Sequence, residues 1–134
     1  PSKLKSFASK KSQSVSIKNK IKKLKIFISS SERPVLILGG GIKCSSSRKE
    51  LNSFINKIKI PIVASWSGTD LIDHNDVKYL GNIGVYGNRL ANIAVQNSDL
   101  ILCLGSRLDT RVTGGKPQSF APQVDCPQYS EPGD

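Results

Sequence analysis

An uninterrupted apolar run, Leu100–Leu104, constrains the fold of this chain more than any other stretch. Five apolar residues without alternation are typical of a parallel strand that is covered on both faces. Gly105 ends the run, and the charged residues Arg107, Asp109 and Arg111 follow within seven positions. Because open α/β sheets bind ligands beyond the carboxyl ends of their strands, this segment is a candidate binding loop. The two guanidinium groups suit a diphosphate, with Asp109 holding one of them in place; a solvated loop with a local ion pair fits the spacing equally well.

A second apolar run, Val35–Leu38, predicts another strand, which Gly39–Gly41 and a predicted helix from Ser45 to about Lys57 follow. Strand, glycines and helix is the order of a phosphate-binding turn, because glycine lets backbone N–H groups approach an anion. Glycines that serve only a tight turn explain the pattern as well. A third strand, predicted over Ile60–Ala64, leads into a loop with Trp66. This side chain would cover a flat ring or, by default, pack inside the protein.

The glycine-rich residues 81–87 predict a loop, and Asn88–Gln96 predicts a helix with Leu90, Ile93 and Ala94 on one face. Strands that alternate with helices through short connections predict a parallel sheet with right-handed crossovers. The loops after the three predicted strands then meet at one edge of the sheet. We expect a single ligand site there, built from all three loops.

The net charge of +10 is concentrated in an arm: residues 1–33 carry +9, and the remaining residues carry +1. Residues 1–14 are typical of a linker, whereas Ile17, Ile21, Leu24 and Ile28 lie on one face of a predicted helix that the serines at 29–31 would end. A basic amphipathic helix can bind a membrane surface or a nucleic acid. We expect instead that it packs on its own domain, and we expect neither a membrane nor a nucleic-acid partner.

The three cysteines, Cys44, Cys103 and Cys126, are odd in number and form no CxxC motif. This pattern favours reduced thiols in a cytoplasmic protein over a disulfide framework or a metal site. No apolar run approaches the length of a membrane span, and no signal peptide is visible. The single histidine, His74, has no sequence-adjacent partner and is expected at the surface.

Three segments together, RPVLILGGG, IPIVASWSGTD and GNIGVYGNRLANIAVQNSDLILCLGSRLDTRVTGG, resemble the central domain of thiamine-diphosphate-dependent enzymes of the acetolactate synthase type. The resemblance implies a Rossmann-like parallel sheet with helices on both faces, which holds FAD in the flavin-containing members. It also implies a parent enzyme that decarboxylates a 2-keto acid and transfers the two-carbon unit. Thiamine diphosphate and Mg²⁺ would be bound by other domains of that parent, a homodimer or homotetramer.

Carried over to this sequence, the family's pattern implies a set of FAD-binding or ADP-binding residues and neither catalytic nor metal-binding ones. The set is Gly39, Gly40, Gly41, Ser65, Trp66, Gly84, Gly87, Gly105, Ser106, Arg107, Asp109, Arg111 and Val112. Ser65-Trp66 replaces a threonine–leucine pair that lines the flavin ring in the family. Val85-Tyr86 replaces the Met-His of a Gly-Met-His-Gly turn.

The sequence departs from the family after Pro122, where two prolines and no apolar run replace the expected strand. We therefore expect a linker at 1–14, the central domain at 15–122, incomplete at its C-terminal edge, and an irregular tail at 123–134. The chain is expected to be a fragment without catalytic activity of its own. The alternatives are a free-standing nucleotide-binding domain with a basic partner-binding arm and a structural domain with an empty cleft.

Overall fold

The computed structural model describes residues 14–124, and most of the predicted tail and most of the predicted linker lie outside that range. The chain divides into two compact units, residues 1–30 and residues 31–134. The helices are α1 (Ser14–Ser30), α2 (Gly41–Cys44), α3 (Arg48–Lys57), α4 (Arg89–Gln96), α5 (Thr110–Thr113) and α6 (Pro117–Phe120). The strands are β1 (Pro34–Leu38), β2 (Ile62–Ala64), β3 (Tyr79–Asn82) and β4 (Leu100–Leu104), and a 3₁₀ helix spans Trp66–Leu71.

The predicted basic helix is present as α1, the described part of the first unit. It ends within the predicted serine run, where Ser29 Oγ donates to the carbonyl of Ile26 and Ser30 Oγ to that of Phe27. These hydroxyls bond carbonyls that the end of a helix leaves without an intrahelical partner. The expectation that α1 packs on the sheet stays a prediction.

The second unit is built on a parallel four-stranded sheet in the order β3-β2-β1-β4, so the predicted α/β fold is confirmed. Alternate side chains of β1 enter two cores. Leu36 and Leu38 pack with Leu51 and Ile55 of α3, and residues of the opposite parity pack with α4. Helices therefore cover both faces of the sheet, which explains why β1 is apolar without interruption.

The strand predicted over Leu100–Leu104 is found with those bounds as β4, but the expectation that it is deeply buried was wrong. Each of its residues is only half-buried, because β4 is the edge of the described sheet and pairs on one side, with β1. The strand predicted over Ile60–Ala64 is shorter, since β2 begins at Ile62, after Pro61.

A further strand that the sequence did not predict, β3, ends inside the glycine-rich residues 81–87, and it pairs with β2 through an irregular register between Ile62 and Val63. The helix predicted from Ser45 begins only at Arg48, because Ser46 has a positive φ of 55° that a helix does not tolerate.

The face of α4 that carries Leu90, Ile93 and Ala94, predicted as its apolar face, is not the face that packs on the sheet. Ala91 and Val95 are buried against the sheet, whereas Leu90 and Ile93 are exposed and Ala94 is partly buried. His74 is exposed at the surface, as predicted, with its ring beside that of Tyr79.

Candidate functional site

The loops that follow the strands enclose a cleft of about 940 Å³ at the carboxyl edge of the sheet, here called the sheet-edge cleft. This volume lies at the upper end of the range for small-molecule and cofactor sites. Most of the predicted binding residues line it: Gly40, Gly41, Ser65, Trp66, Gly105, Ser106, Arg107, Asp109, Arg111 and Val112. The cleft is therefore built where the sequence predicted one, from the loops after β1, β2 and β4 and from the turn after β3.

The triple glycine does not form an open cradle of N–H donors. Gly39 N–H donates to the carbonyl of Leu104 at 2.8 Å, Gly41 N–H to that of Gly105 at 2.9 Å, and Gly40 N–H to Ser67 Oγ at 3.2 Å. A Cβ atom at Gly39 would collide with the backbone of Gly105. The glycines thus allow the loops after β1 and β4 to touch, which favours the tight-turn interpretation. Gly39 is buried behind the cleft and does not line it.

Gly84 and Gly87 also lie outside the lining, and they shape a turn. Gly84 has a φ of +105°, and an added Cβ would come within 2.6 Å of the carbonyl oxygen of Arg111. Gly87 N–H closes the turn on the carbonyl of Gly84 at 2.9 Å, and Val85 N–H donates to that of Arg111 at 3.1 Å. The turn is thereby fixed against the arginine loop, and the residues between its glycines, Val85 and Tyr86, face the cleft.

Asp109 has a different role from the one predicted, since it holds neither arginine by an ion pair. Its carboxylate caps the short helix α5 and accepts the backbone N–H groups of Arg111 at 3.1 Å and Val112 at 3.2 Å. Within residues 14–124, neither Arg107 nor Arg111 forms an ion pair with a carboxylate. Both arginines are exposed at the cleft, with their charge available to an anionic ligand.

A third cation, Lys43, was missed from the sequence. Lys43 Nζ lies 2.5 Å from a carboxylate oxygen of Asp70, whose second oxygen lies 3.9 Å from Arg48. The hydrogen bond from Lys43, more than any other contact, lowers the pKa of Asp70. Because Asp70 offsets its charge, Lys43 is less free to meet a ligand than the two arginines are.

Trp66 does not pack into the core, contrary to the default expectation, since the residue is 74% exposed. Its ring meets that of Tyr86 edge to face, with centroids 6.3 Å apart and an interplanar angle of 66°. Ser65, the residue before Trp66, is buried beneath the cleft, and its hydroxyl lies 3.3 Å from that of Ser67.

Sequence reasoning missed several residues that line the cleft: Lys43, Cys44, Ser67, Asn82, Ile83, Val85 and Tyr86. Tyr86 was within reach, because it stands between two glycines that the family pattern had singled out. Asn82 and Ile83 were hidden by the missed strand β3. Lys43 and Cys44 lie in α2, a four-residue helix with no pattern of its own.

Of the two cysteines that the structure describes, Cys44 is exposed at the cleft and Cys103 is half-buried in β4. Burial raises the pKa of the Cys103 thiol. Within the described residues, no three His, Cys, Asp or Glu side chains gather as a metal site requires. Within the same range, no helix has the length and apolar character to cross a membrane.

The donor set of the cleft fits the ADP moiety of FAD. Arg107 and Arg111, which pair with no carboxylate among residues 14–124, can bind a diphosphate with forked donors. The apolar and aromatic residues Trp66, Ile83, Val85 and Tyr86 supply a lining for flat rings.

The sequence profile of a family described as "Thiamine pyrophosphate enzyme, central domain" matches residues 21–127. The acetolactate synthase large subunit of Cyanidium caldarium is 37% identical over 94 residues, which is 70% of this chain and 16% of that protein. Acetolactate synthase 2, chloroplastic, of Nicotiana tabacum is 43% identical over 94 residues, 70% of this chain and 14% of that protein.

A relative with a different printed reaction matches to a similar degree. The 3D-(3,5/4)-trihydroxycyclohexane-1,2-dione hydrolase of Clostridium botulinum is 35% identical over 98 residues, which is 73% of this chain and 15% of that protein. The chain thus spans less than a fifth of the length of the curated relatives it matches.

Proposed function

Since the chain belongs to the thiamine pyrophosphate enzyme central-domain family, we propose that residues 15–122 hold the ADP moiety of FAD inside an acetolactate synthase-like enzyme. The observation that carries this proposal is the pair Arg107 and Arg111, two cationic groups at the same cleft that form no ion pair within the part of the chain that the structure describes. The diphosphate would lie against these guanidinium groups, and the rings against the aromatic and apolar side of the sheet-edge cleft.

The parent enzyme would decarboxylate a 2-keto acid and transfer the two-carbon unit to a second carbonyl. Thiamine diphosphate and Mg²⁺ supply that chemistry when bound, and other domains of the same enzyme would hold them. This chain's own residues would bind the nucleotide and brace those domains. We expect a homodimer or homotetramer in the cytoplasm, without catalytic activity in the isolated chain.

Equilibrium dialysis of FAD, FMN and ADP against the 134-residue chain tests the binding. We expect FAD and ADP to bind, and the affinity of both to fall when Arg107 is replaced by alanine. Arg89→Ala is the matched control, because Arg89 is also exposed but does not line the cleft. A chain that binds neither nucleotide would contradict the proposal and favour a structural domain with an empty cleft.

The basic arm supports a second candidate, a nucleotide-binding domain whose arm binds an anionic partner. The five lysines of α1 from Lys18 to Lys25 are all exposed. Duplex DNA binding that weakens steeply with salt, and disappears when these lysines are neutralised, would establish it. Absence of such binding at low salt would remove the candidate.

A further inference from the structure

Three cationic side chains among the described residues line the sheet-edge cleft, and one of them is held by a carboxylate. Arg107 and Arg111 form no ion pair with a described residue, whereas Lys43 Nζ lies 2.5 Å from a carboxylate oxygen of Asp70. Asp70 belongs to the 3₁₀ helix after β2 and does not line the cleft. Lys43 therefore borders the space that a ligand would occupy while its counter-ion lies outside the lining.

The helix that carries Lys43 touches the loop that carries the arginines. Gly41 N–H, at the start of α2, donates to the carbonyl of Gly105 at 2.9 Å, and a Cβ added at Gly105 would come within 2.7 Å of the backbone nitrogen of Ile42. Lys43 is the next residue of α2, and Arg107 follows Gly105 by two positions. The contact thus places the attachment points of Lys43 and Arg107 close together, as one diphosphate shared by both side chains requires.

Asp70 has a second counter-ion and does not depend on Lys43 alone. Its other carboxylate oxygen lies 3.9 Å from Arg48 Nη1, and Arg48 Nη2 donates to the backbone carbonyl of Asp70. Arg48 begins helix α3 and lies outside the cleft lining. If Lys43 moves away, Arg48 still offsets the charge of Asp70.

The Lys43–Asp70 ion pair is also weak enough to be exchanged. The Asp70 side chain is 64% exposed, and an ion pair in contact with water contributes little, because solvent screens it and both side chains must be ordered. Lysine carries a compact charge on a flexible stem, so its ammonium group can change partner without movement of the backbone. Exchange of the carboxylate for a phosphate, which lysine binds as a point charge, therefore costs the fold little.

We propose that Lys43 leaves Asp70 for the diphosphate of the bound nucleotide and that Asp70 is its displaceable counter-ion. The inference rests on the proposed function, because the same diphosphate would lie on Arg107 and Arg111. Without nucleotide, Asp70 holds Lys43; with nucleotide, Lys43 adds a third positive charge to the diphosphate site. Asp70 thereby competes with the nucleotide for Lys43 and lowers the affinity of the chain for it.

Replacement of each partner tests the exchange, with the affinities for FAD and ADP measured by equilibrium dialysis on the 134-residue chain. Lys43→Ala should weaken the binding of both nucleotides about fivefold, and Lys43→Arg, which keeps the charge, should retain most of the affinity. Asp70→Asn should instead strengthen binding about two- to fivefold, because it removes the competing carboxylate. Lys49→Ala and Asp73→Asn are the matched controls, since both residues are exposed and neither lines the cleft.

The double variant Lys43→Ala/Asp70→Asn separates the exchange from a general effect of charge. If Asp70 acts through Lys43, the change at Asp70 has no effect once the lysine is absent, so the double variant binds as Lys43→Ala does. If the carboxylate merely repels the nucleotide, the double variant binds more tightly than Lys43→Ala by the factor seen for Asp70→Asn alone. That result would overturn the exchange.

The variants should fold, because Lys43 and Asp70 are exposed, and far-ultraviolet circular dichroism checks this. Unchanged affinity in Lys43→Ala, or unchanged or weaker affinity in Asp70→Asn, would overturn the exchange and leave the proposed function standing. A wild-type chain that binds neither FAD nor ADP would overturn both. The two failures are thereby distinguished by the same dialysis measurements.

Discussion

The two ends of strand β4 both carry charged residues, and the fold uses them in opposite ways. At the amino end, the Asp99 carboxylate accepts the Ser31 hydroxyl, the Glu32 N–H at 2.8 Å and the Arg33 N–H at 2.9 Å. At the carboxyl end, Arg107 and Arg111 have no carboxylate partner among the described residues.

This difference separates charges that hold the fold together from charges that are available for binding. The Ser31 hydroxyl, more than the backbone N–H groups, lowers the pKa of Asp99 to about 2, because these donors stabilise its charged form. Asp99 ties the segment before β1 to the start of β4, so its role is internal. The arginines lie on an exposed loop that leaves their donors for a ligand.

Replacement of the arginines is the largest expected effect. Arg107→Ala and Arg111→Ala should each weaken FAD binding about 10- to 100-fold, since charge-assisted hydrogen bonds contribute about 1.5–3 kcal/mol. Thermal unfolding should barely change, because neither side chain forms an ion pair with any of the described residues. Equilibrium dialysis measures the affinity, with Arg89→Ala as control. If the arginine variants bind FAD as tightly as the wild-type chain does, the two arginines take no part in FAD binding.

The next largest effect is expected on stability, at Gly39, where the loops after β1 and β4 pack closely against each other. In Gly39→Ala the new methyl group collides with the backbone of Gly105, which cannot move aside as a flexible side chain would. We expect a loss of about 1–3 kcal/mol in the free energy of unfolding, measured in urea.

Gly114→Ala is the control for Gly39→Ala. Gly114 has a positive φ of 65°, but nothing lies within 4 Å of its added Cβ. It should therefore show only the conformational cost of the left-handed backbone, about 1 kcal/mol. If Gly39→Ala is no more costly than this control, the contact between the two loops does not stabilise the fold.

The sequence predicted β1 and β4 well, because apolar runs such as Leu100–Leu104 have few structural alternatives. It missed β3, whose Tyr79–Asn82 contains a glycine and an asparagine and pairs irregularly. The buried face of α4 could not be read from apolarity, since both of its faces carry apolar residues. The small Ala91 lies against the sheet, while the larger Leu90 is exposed.

Prediction of the sheet-edge cleft was limited in a similar way. The sequence shows Gly84 and Gly87 but not what they do. They shape a turn, and Tyr86, which lies between them, lines the cleft. Asp109 follows two residues after one arginine and precedes another by two, a spacing that suggests an ion pair. Its role as a helix cap becomes visible only with the backbone of α5 in place.

The opposite end of β4 is tested by Asp99→Asn. The pKa of Asp99 is about 2 in the folded chain against an ordinary 3.8, so its charged form stabilises the fold. This contribution is fully present above about pH 4 and is lost as the pH falls from there through about 2. Urea unfolding at pH 7 should show a less stable variant, by a modest amount because the carboxylate is exposed to solvent.

The difference between the wild type and Asp99→Asn should shrink as the pH falls from about 4 through about 2, because the Asp99 carboxyl becomes protonated over that range. Asp73→Asn serves as control, since the exposed Asp73 carboxylate accepts one backbone N–H among the described residues, that of Asn75 at 2.9 Å. A stability difference for Asp99→Asn that does not depend on pH would contradict a role for the charge.

The smallest expected effect concerns two thiols close to the carboxyl end of β4. Cys44 is exposed at the sheet-edge cleft, whereas Cys103 is half-buried and burial raises its pKa. Because the thiolate is the reactive form, iodoacetamide should modify Cys44 several-fold faster than Cys103, as followed by peptide mass mapping. Saturating FAD should slow the modification of Cys44 by covering the cleft and leave the rate at Cys103 unchanged. Equal protection of both thiols would indicate that FAD stabilises the whole fold against opening. Unchanged modification rates at both thiols would indicate that FAD binds away from α2.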